Sequence, residues 1–193
     1  MKILIACEES QTVCEAFRAK GHEAYSCDIL PTSGKHPEWH IQGDALTEAY
    51  SGKYEMMIAH PPCTYLSVAG AGHLYPKSIL NRERYLKGAE AKDFFMKLLN
   101  APIEKICVEN PLPFKIFELP PYTQIIHPYH FGEPFMKRTC LWLKNLQALK
   151  HTNIVKGEPT SKSPWYNKGG KDRQKNRSKF WKGISDGMAA QWG

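Results

Sequence analysis

Long apolar runs are missing from this chain. No stretch approaches the roughly 20 residues needed to span a bilayer, and the amino-terminal MKILIAC carries one lysine and then only a short apolar run. That run is too short for a secretory core region, so the expected compartment is the cytoplasm and no membrane partner is expected. Paired cysteines are missing too. Six cysteines, at 7, 14, 27, 63, 107 and 140, are spread along the chain with no C-x-x-C pair. This speaks against a clustered zinc site or a small disulfide framework, so no metal is expected, and most of the thiols read as small hydrophobes in or beside strands. There are no internal repeats. Glycine is absent from the first loop, ACEESQT (6–12), and with it the glycine-rich fingerprint of a dinucleotide site. Acids, finally, are scarce over about 150–182, where ten lysines and arginines face only Glu158 and Asp172.

What is present fits one domain over 1–193: 42% hydrophobic and 23% charged residues, ordinary for a folded chain. The net charge of +7 is concentrated in the basic segment, leaving the remainder close to neutral. That segment interleaves Lys171, Arg173, Lys175 and Arg177 with Trp165, Tyr166, Phe180 and Trp181. Cations alternating with rings suit a polyanion that has bases to stack on, and a merely solvated charged face is the plainer alternative.

Strand-length apolar runs recur at 2–6, 23–27, 54–59, 104–108, 123–127 and 139–143. Between them lie helical candidates. Ser10 is placed to cap a helix through Lys20 that stops at Gly21. Residues 82–100 put Leu86, Ala89, Met96 and Leu99 on roughly one face, and a last short helix is expected at about 183–192. Alternating strands and helices predict an α/β fold with a mainly parallel central sheet and flanking helices.

Polar clusters fall where those strands end: CEES after the first, Asp28 after the second, HPPC after the fourth and ENP after the fifth. Ligands in such sheets bind at the carboxyl ends of the strands. The two prolines of HPPCT restrict the backbone, so Cys63 is held by a stiff loop, either as a buried thiol or as a nucleophile. Glu109 ends a buried-looking strand, where burial would favour its protonated form and suit it to donate to a ring nitrogen. Lys137 and Arg138 precede an apolar strand and offer a cation for a carbonyl oxygen or a phosphate. On the ligand side, Asp28 is placed for ribose hydroxyls and Asp44, after a short third strand, for an adenine amine, with Cys7, Glu8 and Pro61 lining the same edge.

The order of these motifs, GD, PPC, ENP and then G-x-P-x-x-K-R, resembles that of the DNA cytosine-5 methyltransferase family across about residues 2–143. The resemblance implies a Rossmann-like S-adenosylmethionine-dependent methyltransferase fold, with Cys63 as nucleophile and Glu109 as partner of ring nitrogen 3. Arg138, or Lys137, would hold the base carbonyl, and the substrate would be DNA with its target cytosine flipped out of the stack. The brevity of the chain suits a phage- or prophage-type member. Three features depart from the family pattern. The first loop lacks glycine, the Gln-x-Arg-x-Arg pattern is reduced to PFMKRT, and only the basic segment stands where a target-recognition domain is expected. Two other readings stay open: a catalytically inactive nucleic-acid-binding protein on the same scaffold, and an exocyclic-amino methyltransferase. HPPC fits the latter poorly, since His60 stands first and Cys63 last.

Overall fold

The computed structural model describes residues 1–162 and 180–193. In chain order they form β1 (Lys2–Ala6), α1 (Thr12–Arg18), β2 (Glu23–Asp28), β3 (His40–Gln42), α2 (Ala45–Ala49) and β4 (Met56–Ala59). Next come α3 (Ala71–Leu74), α4 (Arg82–Leu99), β5 (Lys105–Pro111), β6 (Gln124–Ile126), β7 (Phe135–Met136) and β8 (Thr139–Lys144). β9 (Glu158–Pro159) and α5 (Lys182–Trp192) complete the described elements. Seven strands make one sheet in the order β3-β2-β1-β4-β5-β8-β6, while β7 and β9 pair separately. The first five are parallel, and β8 runs antiparallel to both its neighbours. This is a Rossmann-like α/β sheet. Its order reverses between β1 and β4, which opens a crevice at the carboxyl ends of those strands.

Both faces of the sheet are covered, which is why its central strands read as unbroken apolar runs rather than alternating ones. All four residues of β4 are buried. Ile3, Ile5, Met56, Ile58 and Cys107 point to the layer formed by Val13 and Phe17 of α1 and Ile184, Met188 and Trp192 of α5. Leu4, Ala6, Met57, Ala59 and Val108 point the other way, onto Ala45 of α2 and Phe95 and Leu98 of α4. Each Val, Leu, Ile, Phe or Met among them stabilises the fold by about 1.5–3 kcal/mol when fully buried. Cys14, Cys27, Cys107 and Cys140 are buried as thiols within this core.

Two local expectations are corrected. Ser10 does not cap α1: its hydroxyl meets Thr12 Oγ1 at 3.1 Å, and Gln11, at φ 62°, holds the capping position without a side-chain bond. The helix stops at Arg18, short of Lys20, although Gly21 does take the left-handed turn, at φ 84°. On α4 the buried positions are Gly88, Phe95 and Leu98, whereas Leu86 is 53% exposed. A Cβ at Gly88 would collide with the Phe117 ring, so the absent side chain is what lets the helix pack there.

Candidate active site

The parallel pairing of β4 with β5 sets Ala59 opposite Val108. One residue further, His60 comes beside Glu109, and Asn110 Nδ2 donates to the Pro61 carbonyl at 3.4 Å. The backbone N–H of His60 donates to Ala6 O at 2.9 Å, carrying the β1–β4 ladder one step past the strand. Pro61 is buried and Pro62 exposed, after which the chain turns at once: Leu66 and Ser67 both donate their N–H to the Cys63 carbonyl, at 3.2 and 3.1 Å. Val68 N–H bonds Leu112 O at 3.0 Å, and Phe114 N–H bonds Leu66 O at 2.7 Å, fastening this loop to the segment leaving β5. From α4, Arg84 donates to Thr64 O at 2.8 Å and lies over the Tyr65 ring. Cys63, half-buried, is thereby presented on a braced turn.

Glu109 is buried, and its Oε2 lies 3.3 Å from His60 Nδ1. The Phe180 ring covers the imidazole at a centroid distance of 4.5 Å. His60 Nε2, Glu109 Oε1 and Asn110 Oδ1 are buried without a hydrogen-bond partner among the described residues. Because β8 is antiparallel, its first residue, Thr139, pairs with Pro111 at the last step of β5. Half-buried Lys137 and exposed Arg138 therefore arrive at the edge that carries Cys63 and Glu109. The Cys140 thiol beneath them is pushed up to about 11, chiefly by burial, then by the charge of Glu109, with Arg138 opposing.

The other half of the edge is acidic and largely self-satisfied. Cys7, at φ 59°, has its thiol pKa raised by burial and then by Asp28, Cys27 and Asp44, which places the two acids around it. Glu8 turns inward: its two oxygens accept the N–H groups of Val13 and Cys14 at 2.7 and 3.2 Å, the amides that open α1. Glu9 accepts Ser33 N–H at 3.1 Å. Asp28 accepts Leu30 N–H at 2.9 Å, and Asp44 caps α2 by accepting Leu46 N–H at 3.1 Å. The glycine-free loop thus closes the amides that a phosphate would seek and leaves acids at the ends of β2 and β3. That arrangement fits a phosphate-free, cationic nucleoside cofactor such as S-adenosylmethionine and does not fit a dinucleotide.

Of the basic candidates, Lys171, Arg173, Lys175 and Arg177 lie outside the described residues. Trp181 stands at the start of α5, half-buried against the Phe135 ring at 5.6 Å. The residue that sequence reasoning passed over is His60. Its signal is a titratable side chain directly before Pro-Pro at a strand end. Among the described residues no cluster of three or more His, Cys, Asp or Glu is arranged to hold a metal ion, and no helix is long and apolar enough to cross a membrane.

No family model and no curated protein matches the chain. Among solved structures it is similar to a protein described as a candidate DNA modification methyltransferase encoded within a prophage (E. coli). The two share 10% identity at a TM-score of 0.45, over 80% of this chain and 51% of that one. The chain therefore spans about half the length of that protein.

Proposed function

We propose that the chain is a DNA cytosine-5 methyltransferase that works through a covalent cysteine adduct, with S-adenosylmethionine as cofactor. The observation that carries this reading is the pairing of β4 with β5. It sets His60 and Pro61, which lead into the braced turn bearing Cys63, beside Glu109 and Asn110, and β8 begins at the same edge directly after Arg138. The Cys63 thiolate adds to carbon 6 of a flipped-out cytosine while Glu109 gives a proton to ring nitrogen 3 and Arg138, or less directly Lys137, holds the base carbonyl. Carbon 5 becomes nucleophilic as a result. S-Adenosylmethionine, when bound, supplies the methyl group for carbon 5, and Asp28 and Asp44, with Cys7, Glu8 and Pro61 around them, are the residues placed to hold it. Loss of the carbon-5 proton to water then lets the carbon–sulfur bond break, returning its electrons to Cys63 while nitrogen 3 gives its proton back to Glu109. The basic segment of about 150–182, with Trp181, supplies phosphate contacts and stacking surface for DNA.

Incubation with DNA and methyl-labelled S-adenosylmethionine, followed by nucleoside analysis, tests this. Label in 5-methylcytosine is the expected result. Label on an exocyclic amine overturns the mechanism, and DNA binding without label points to an inactive binding protein.

A further inference from the structure

We propose that His60 is the positioning residue of Glu109, holding one carboxylate oxygen so that the other exchanges a proton with the target base. This rests on the methyltransferase reading above and goes beyond it, since nothing in the motif resemblance assigns a role to His60.

The placement is set by the backbone. His60 extends the β1–β4 ladder through its bond to Ala6 O at 2.9 Å, so its side chain leaves the strand end in a fixed direction, beside Glu109 on the next strand. Nδ1 lies 3.3 Å from Oε2, and the two side chains are only 11% and 10% exposed. A carboxylate this buried is costly unless paired, and the cost changes each time it gains or loses a proton. The groups facing His60 come from three directions: Glu109 from β5, Glu8 from the loop after β1, whose carboxyl is raised by burial with His60 partly opposing, and the apolar ring of Phe180. Beyond them, Glu15 acts on Glu8, and Arg138 lies with Glu109 around Cys140. His60 Nε2 and Glu109 Oε1 are the atoms of the pair buried without a partner among the described residues. One oxygen of Glu109 is tied and the other is left for the base.

The proton count closes. As the thiolate of Cys63 forms its bond to carbon 6, electrons move toward nitrogen 3, which takes the proton from Glu109. The resulting carboxylate keeps the Nδ1–H bond of His60. On elimination the carbon–sulfur electrons return to Cys63 and the nitrogen-3 proton returns to Glu109, leaving His60 unchanged over the cycle.

The adduct makes carbon 5 basic, so its hydrogen exchanges with water even without cofactor. Release of tritium from DNA carrying 5-tritiated cytosine therefore reads Cys63, Glu109 and His60 alone. We expect His60→Ala to slow exchange by about 10²-fold and alter the shape of its pH profile. His60→Gln, which retains a donor, should recover part of the rate with a pH profile unlike the wild type. In the protein without DNA, the His60 Nδ1 proton should give a downfield resonance that moves upfield in Glu109→Gln, whose neutral amide accepts more weakly. Wild-type rate and pH profile in His60→Ala, no recovery by His60→Gln, or no such resonance overturns the role of His60 while the methyltransferase reading stands. No exchange by the wild type, or undiminished exchange by Cys63→Ser, overturns the reaction itself, and the His60 role falls with it.

Discussion

The two halves of the sheet edge solve opposite problems. At the ends of β1, β2 and β3 the acids bond to backbone amides: Glu8 to Val13 and Cys14, Glu9 to Ser33, Asp28 to Leu30 and Asp44 to Leu46. At the ends of β4 and β5, and at the start of β8, His60, Glu109, Asn110 and Thr139 each keep a buried polar atom without a partner among the described residues. Unpaired buried polar groups are expensive, so the second half sacrifices stability in a way the first does not, Glu9 Oε1 excepted. Functional sites are where local structure departs from what stability alone prefers. On this comparison, substitutions in the first half should cost folding free energy together with cofactor affinity, and substitutions in the second should cost chemistry while the fold persists.

Cys63→Ser gives the largest effect. Methyl transfer and covalent trapping on 5-fluorocytosine DNA should fall by about 10³-fold or more, with the urea midpoint nearly unchanged. A large loss of stability with activity retained would break the comparison at its strongest point. Glu109→Gln comes next, with an expected drop of about 10²–10⁴-fold in turnover. Its stability should hold, because the amide keeps the shape of the buried side chain and an oxygen that can stay beside His60.

Glu8→Ala reverses the pattern. Two buried amides at the start of α1 lose their acceptor, and unfolding in urea should show a loss of about 2 kcal/mol. Burial raises the Glu8 carboxyl above its ordinary 4.5, with His60 and the Val13 and Cys14 amides pulling it partly back. Below 4.5 both the folded and unfolded chains hold the proton, and as pH rises the unfolded chain releases it first. The contribution of Glu8 is therefore full at low pH and lost as pH climbs through the folded value. Stability measured across that window should show Glu8→Gln gaining on the wild type as pH increases. The smallest effect on stability belongs to Asp44→Ala, where loss of the α2 cap should cost about 1 kcal/mol in thermal unfolding, with weakened S-adenosylmethionine binding beside it.

Much of the fold was legible because its signals are local. Apolar strand-length runs bounded by turn residues located β1, β2, β4, β5, β6 and β8, since a strand buried on both faces must be apolar throughout. Cys63, Glu109 and Arg138 could be singled out because Pro-Pro, Glu-Asn and Lys-Arg stand at strand ends. What escaped was whatever depends on a partner distant in sequence. Ser10 had the chemistry of a cap, but Glu8 reaches the same amides from inside the turn. Leu86 reads as core in the sequence but is exposed, while Gly88 is the buried position, where the Phe117 ring fills the space above the glycine. His60 was unremarkable until β5 set Glu109 beside it.

The sequence by itself determined the alternation of strands and helices, the stiffness of the loop carrying Cys63 and the absence of a phosphate-cradling first turn. All three follow from backbone preference and side-chain polarity within a few residues. Only the tertiary structure decided which acids are spent on the fold and which remain available. That choice depends on burial and on hydrogen-bond partners supplied by neighbouring strands, and His60 beside Glu109, 49 residues apart in the chain, is its clearest case.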